Sequence, residues 1–156
     1  MALLARRSGL AFLVAAIGLM AAAQGVAMKK MVLFSAVRGK VLMAGAPVAG
    51  ASVEREFVWG WKDETGRDSA TTDANGEFHL AAVLRSSRLG SLLPHEPSIR
   101  QTILLRHGGQ TYKAWMFDKG NYDDNGELAG KPIVMTCRLE TAPQRRGAVY
   151  GICELG

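Results

Sequence analysis

The sequence predicts an all-β protein, an antiparallel β-sandwich of about seven strands with one irregular or short helical insertion. Short segments in which apolar residues alternate with polar ones follow one another along most of the chain. Gly, Pro and Asn-Gly turns separate these segments at short spacing. The stretch Leu84 to Ser98 has no period of two, and prolines end any helix in it, so we place the insertion there.

The first strands are predicted from their alternation and from the turn that joins them. Val37 to Met43 places every second residue on one face, and Ala44 to Pro47 turns the chain. The next strand continues to Trp61, and Arg55 is the one charged residue on its inward face. The other inward residues are Ala51, Val53, Phe57, Trp59 and Trp61. We expect this face to pack into the hydrophobic core.

A charged loop, Lys62 to Asp68, is predicted to lead into a second pair of strands. These are Ser69 to Thr72 and Glu77 to Ala82, joined by the turn Asp73 to Gly76. The Asn-Gly pair in this turn tolerates positive φ, which is why it is common between strands.

After the insertion we expect a third hairpin, a long loop and a last strand. Ile99 to Arg106 pairs with Gln110 to Phe117 around His107-Gly-Gly. Asp118 to Lys131 is a long polar loop, and Pro132 to Leu139 is the last clear strand.

The N-terminal segment, residues 1–27, has the features of a secretory signal peptide. Arg6 and Arg7 precede an apolar run from Gly9 to Ala23, and small residues follow it. The run is shorter than the roughly 20 residues of a membrane-spanning helix, so we expect no permanent span after cleavage. Cleavage after Ala23 or Ala27 fits the pattern equally well.

We therefore divide the chain into a signal peptide, 1–27, and one domain, 28–156, in a periplasmic or secreted protein. An alternative is that translation begins at Met28 or Met31 and that the protein is cytosolic. A chain of this length holds one domain with a real core.

Cys137 and Cys153 are the two cysteines of the sequence. In an oxidising compartment an even pair reads as a disulfide, which would tie the C-terminal tail to the last strand. Free structural thiols are the alternative. Two cysteines without nearby histidines do not supply a zinc site, so no metal and no cofactor are assigned.

The segment from Gly39 to Phe78 resembles a known domain. Its pattern is Gly39-x-Val41…Gly45-x-Pro47-Val48-x-Gly50-Ala51-x-Val53, followed by Thr72-Asp73-x-Asn75-Gly76-x-Phe78. This pattern is similar to the carboxypeptidase regulatory-like domain over residues 37–83. The later stretch resembles a bacterial family of uncharacterised exported proteins that carry such a domain. The resemblance implies a transthyretin-like β-sandwich of seven strands and no catalysis.

His95 and Glu96, which stand between Pro94 and Pro97, are the most conspicuous polar pair. A rigid loop of this kind could present an imidazole and a carboxylate for general acid–base work, as in a small hydrolase. The simpler interpretation is that both side chains make structural hydrogen bonds.

The loop Asn121-x-Asp123-x-Asn125-Gly126 begins like a calcium loop. The Glu expected at the twelfth position is replaced by Pro132, so a polar turn is favoured.

Trp59, Trp61 and Tyr122 are candidates for an aromatic platform that would bind a sugar ring or a peptide. Because Trp59 and Trp61 share the apolar face of one strand, core packing is the simpler interpretation.

The net charge of +5 falls to +3 without Arg6 and Arg7 and is scattered along the chain, so we expect no nucleic-acid partner. We expect a non-catalytic exported protein of accessory or immunity type that binds a protein partner or an envelope component. The alternatives are a carbohydrate-binding module and a small hydrolase. The oligomeric state is left open. The candidate binding residues are His95, Glu96, Trp59, Trp61 and Tyr122.

Overall fold

The computed structural model describes residues 29–87 and 95–156, and nearly all of the regular structure in them is β-strand. The predicted signal peptide and Pro94 lie outside these residues. The strands are β1 Lys29–Phe34, β2 Val37–Met43, β3 Ala46–Pro47, β4 Ser52–Trp59, β5 Glu64–Thr71, β6 Glu77–Leu80, β7 Val83–Ser87, β8 Ile99–His107, β9 Gln110–Lys119, β10 Ile133–Arg138, β11 Gln144–Arg146, β12 Val149–Gly151 and β13 Cys153–Leu155.

Two larger sheets and one two-stranded sheet form a sandwich-like arrangement. The six-stranded sheet has the order β11-β12-β9-β8-β4-β5 and is antiparallel throughout. In the five-stranded sheet β13, β10 and β2 are neighbours, and both β3 and β6 pair with β2. β10 runs parallel to β2, with Ile133 opposite Val37. β1 pairs with β7. The all-β prediction is confirmed.

The inward faces of both larger sheets meet in one hydrophobic core. Along β4 the residues alternate between half-buried and buried, as the sequence pattern predicts. Arg55 is buried on this face, where its Nε donates to Asp68 Oδ1 at 2.8 Å. Its guanidinium also lies 5.0 Å from the ring centroid of Phe34. The one charged inward residue of β4 is therefore held by an ion pair and an aromatic ring.

Several element boundaries differ from the sequence-based assignment. Glu64 to Thr71 forms one edge strand, so most of the predicted charged loop is β5. The side chains of an edge strand are largely solvated, and for this reason no apolar alternation marks it. Leu84 to Ser87 belongs to β7, residues 88–94 lie outside the described part, and a 3₁₀ turn at Gly126–Leu128 lies in the predicted polar loop.

The predicted disulfide is present. Cys137 and Cys153 are 2.01 Å apart at sulfur and face each other in the register of β10 and β13. The bond closes a loop that contains β11 and β12, so it holds the C-terminal tail against both sheets. Within residues 29–87 and 95–156, no helix is long and apolar enough to cross a membrane.

Candidate binding site

Four of the five candidate residues lie together at one end of the sandwich, and we call them the aromatic cluster: Trp59, Trp61, His95 and Tyr122. Trp59 is the last residue of β4, and Trp61 follows in the turn to β5. His95 lies before β8, and Tyr122 lies in the long loop after β9. Three separate segments of the chain therefore build the cluster.

The phenol of Tyr122 is the centre of the cluster. Trp59 Nε1 donates a hydrogen bond to the Tyr122 hydroxyl at 2.9 Å, and His95 Nε2 lies 2.8 Å from the same oxygen. Burial raises the pKa of Tyr122 above its ordinary value of 10.0, although the bond from Trp59 acts in the opposite direction. The phenol is therefore neutral near pH 7 and serves as a fixed hydrogen-bonding group.

The indole of Trp61 is covered by its neighbours. The His95 imidazole stacks on it with centroids 4.1 Å apart and an interplanar angle of 10°. Lys62 Nζ lies 4.2 Å from the ring centroid of Trp61. Trp59 is only 2% exposed and is tilted by 57° to Trp61. The two indoles thus do not form a coplanar exposed platform of the kind that stacks on sugar rings.

Glu96, the fifth candidate, is exposed next to the cluster. It directly follows His95, so this exposed carboxylate is attached to a residue of the cluster.

A second group of side chains, which are buried, holds the long loop that carries Tyr122. We call this group the buried network: Ser35, Gln101, Lys119 and Glu127. Glu127 accepts from Ser35 Oγ at 2.6 Å, from Ser35 N at 3.0 Å and from Gln101 Nε2 at 2.7 Å. Lys119 Nζ donates to Glu127 Oε2 at 2.9 Å, and both side chains have no exposed surface. The loop is therefore anchored in the core by a buried ion pair.

The environment of Glu127 favours its charged form. Burial alone raises the pKa of this carboxyl, and the hydrogen bonds from Ser35, Lys119 and Gln101 outweigh it. The pKa consequently lies below its ordinary value of 4.5.

The stretch that resembles the start of a calcium loop folds into a compact turn. Asn121 Oδ1 accepts from Asp123 N at 3.1 Å, and Asn121 Nδ2 donates to Gly126 O at 3.1 Å. Lys119 Nζ donates to Asp123 O at 2.7 Å, so an ammonium group uses that carbonyl. In the part of the chain that the structure describes, no three His, Cys, Asp or Glu side chains lie together as metal ligands.

Sequence reasoning missed the buried network. Gln101 carried a readable signal, because it is the polar residue between Ile99 and Ile103 on the inward face of β8. Glu127 carried none, since it lies in a polar loop where buried and exposed carboxylates look alike. The pairing of Ser35 with Glu127 spans 92 residues of sequence.

The cluster and the network together join two loops into one surface. The segment before β8 and the loop after β9 meet at His95 and Tyr122, and Trp59 supports their contact. Val32 N also donates to Tyr122 O at 3.0 Å, which ties the loop to β1. We call the exposed part of residues 95–98 and 120–130 the joined loops.

Comparison with known proteins identifies a family but not an activity. No curated protein and no solved structure matches the chain. A family model matches residues 37–142, a region that includes the aromatic cluster and the buried network except for Ser35. This match does not name the carboxypeptidase regulatory-like family that Gly39 to Phe78 resembles. Because the matched region covers more than half of the chain, the protein belongs to the DUF6795 family, a domain of unknown function.

Proposed function

We propose that this protein is a non-catalytic, exported β-sandwich that binds a protein partner or an envelope component through the joined loops. The observation that carries the proposal is the double use of the Tyr122 hydroxyl, by Trp59 and by His95. Long loops on a rigid sandwich are common binding surfaces. Here they are held in place before any partner arrives, which lowers the entropy that binding has to overcome.

The charges of the joined loops also support a binding role. Glu96, Asp123 and Asp124 are exposed on them, whereas the loop's other acid, Glu127, is buried and paired. The exposed acids are free to contact a partner, and the buried one fixes the loop's shape. Side chains of this arrangement serve recognition better than acid–base chemistry, because the imidazole of His95 is stacked on Trp61 and bonded to a neutral phenol.

Export is the second half of the proposal. The N-terminal segment has the composition of a signal peptide, and the Cys137–Cys153 disulfide suits an oxidising compartment. The resemblance to carboxypeptidase regulatory-like domains supports the non-catalytic half of the proposal, because such transthyretin-like sandwiches usually accompany an enzyme or receptor rather than perform chemistry.

Site-specific photo-crosslinking in the native host tests the proposal. A photoreactive residue is placed at Glu96 or at Asp124, and as a control at Thr111, which is exposed in the β8–β9 hairpin. We expect one discrete adduct from both loop positions and none from the hairpin. His95→Ala should reduce the adduct several-fold, whereas the matched variant His107→Ala should leave it unchanged.

Two results would contradict this function. One is crosslinking from Thr111 as strong as from the loops, which would show that the contacts are non-specific. The other is a hydrolase activity of the purified protein that disappears in His95→Ala or Glu96→Gln.

A further inference from the structure

Two grooves of similar size lie on the outer faces of the two larger sheets. One, of about 540 Å³, crosses β5, β4 and β8. The other, of about 520 Å³, crosses β6, β2 and β10, next to the end of β5. We call the first the paired groove, after the ion pairs on its surface, and the second the basic groove, after the cations Arg38 and Lys40 that line it.

In the paired groove each arginine has a carboxylate partner. Arg106 Nε lies 2.8 Å from Glu54 Oε1, and Arg67 pairs with Glu56. Arg55 also borders this groove, but its side chain lies on the buried face of β4, where it pairs with Asp68. The arginines on this face already have carboxylate partners on the next strand, so none of them is left to pair with a carboxylate of a ligand.

In the basic groove the arginine, Arg38, has no carboxylate partner among the residues that the structure describes. Arg38 lies on β2, directly between His79 of β6 and Val134 of β10, and neither neighbour is an acid. Among the described residues, Arg38 and Arg145 are the arginines that have no carboxylate within 4.0 Å. Lys40 lies opposite Glu77 but forms no ion pair within that distance in the described part of the chain. Two cations on one strand are therefore available.

The spacing of these cations selects the shape of a partner. Arg38 and Lys40 are two residues apart on one strand, so their Cα atoms are about 7 Å apart and their side chains leave the same face. An extended peptide repeats its side chains with this same period. Carboxylates at two alternate positions of such a peptide would meet both cations, and an apolar side chain at a neighbouring alternate position, on the same face, would cover Val134, which is 45% exposed.

The acidic residues of the basic groove make a uniformly anionic partner, such as a lipid bilayer, unfavourable. Glu77 and Asp73 line the basic groove together with the cations. A flat anionic bilayer would bring phosphates against these carboxylates, whereas a peptide can place a neutral or basic residue there. We propose that the basic groove binds an extended acidic peptide segment of a protein partner, on a surface separate from the joined loops.

Fluorescence anisotropy of the full chain with a labelled peptide tests this directly; the peptide carries Glu, Glu and Val at every second position, so that all three face the groove, with Ser between them. The same peptide with Lys in place of both Glu residues is the probe control. The test variant is Arg38→Gln with Lys40→Gln, and the matched variant is Arg67→Gln with Arg106→Gln, which removes the same charge from the paired groove. Thermal unfolding of both variants checks that the fold is kept.

We expect the acidic peptide to bind and the Arg38/Lys40 variant to weaken it about tenfold, which corresponds to about 1.4 kcal/mol. The Arg67/Arg106 variant should stay within about twofold of the wild type. Equal weakening by both variants would reduce the effect to net charge and overturn the proposal. The proposal would also be overturned if the acidic peptide did not bind, or if the protein bound phosphatidylglycerol vesicles in an Arg38-dependent manner instead of the peptide. None of these outcomes bears on the joined loops, whose residues are unchanged.

Discussion

Replacing Glu127 with Gln removes one charge from the buried network with almost no change in shape. The wild-type carboxylate and the Lys119 ammonium are 2.9 Å apart, and neither side chain is exposed. After the substitution the ammonium is left buried without a counter-charge. Breaking a buried ion pair in this way costs about 3–5 kcal/mol of unfolding free energy. We expect a loss in this range for Glu127→Gln.

The chain offers a matched control at its surface. Arg138 and Glu154 form an ion pair at 2.7 Å, but both side chains are about half exposed, at 41% and 53%. Glu154→Gln makes the same chemical change in a pair of similar length. Because exposed pairs are screened by water, its expected cost is about 0–1 kcal/mol. Glu154 also lies 3.8 Å from Arg146, and Glu127 also accepts from Ser35 and Gln101, so the difference between the two variants measures burial together with these surrounding contacts.

A second variant measures the coupling between the charges. In Lys119→Met the carboxylate of Glu127 keeps its bonds from Ser35 and Gln101 but loses the cation. The double variant with Glu127→Gln has no unpaired charge. It should therefore be more stable than the sum of the two single losses predicts, by about 1–3 kcal/mol.

The pH dependence gives a further readout. The pKa of Glu127 is lowered in the folded protein, so its contribution to stability is complete above the ordinary value of 4.5 and is lost as the pH falls towards the folded pKa. The gap in stability between the wild type and Glu127→Gln should therefore shrink below about pH 4.5. Above that pH the titration of Glu127 should not change this gap in stability.

Urea unfolding followed by tryptophan fluorescence measures all of these quantities. The reasoning would be refuted if Glu127→Gln cost no more than Glu154→Gln, or if the Lys119 and Glu127 losses simply added. Either result would mean that the pair is solvated in solution and does not anchor the long loop.

Two further predictions concern the disulfide and export. The loop closed by Cys137 and Cys153 spans 16 residues, so Cys153→Ser should lower the unfolding free energy by about 3 kcal/mol, measured by urea unfolding under non-reducing conditions. An equal stability of wild type and variant would show that the bond does not form in the native protein. Intact-mass analysis of a periplasmic extract should show a chain that begins after Ala23 or Ala27. Recovery of the full-length chain from the cytoplasm would reject export.

The sequence by itself determined the local features of the fold. Alternation along β4 identified its buried face, including the exceptional Arg55, because neighbouring side chains on a strand must point to opposite sides. The turn before β6 could also be predicted, because Asn-Gly pairs favour the positive φ that tight turns between strands require. Gly76 has φ 74°, and a Cβ there would lie 2.5 Å from the Val41 carbonyl oxygen. The cysteine pair was readable from its even count.

Only the tertiary structure decided which distant residues meet. The parallel pairing of β10 with β2 joins segments far apart in the chain and leaves no local trace in either one. Trp59 and Tyr122 are 63 residues apart, and His95 and Tyr122 are 27 apart, so their shared hydrogen bonds depend on how three segments pack. The burial of Glu127 depends on Ser35, Gln101 and Lys119 from three other parts of the chain. A strand's period is set by its own backbone, whereas the environment of a loop residue is set by everything that packs against it.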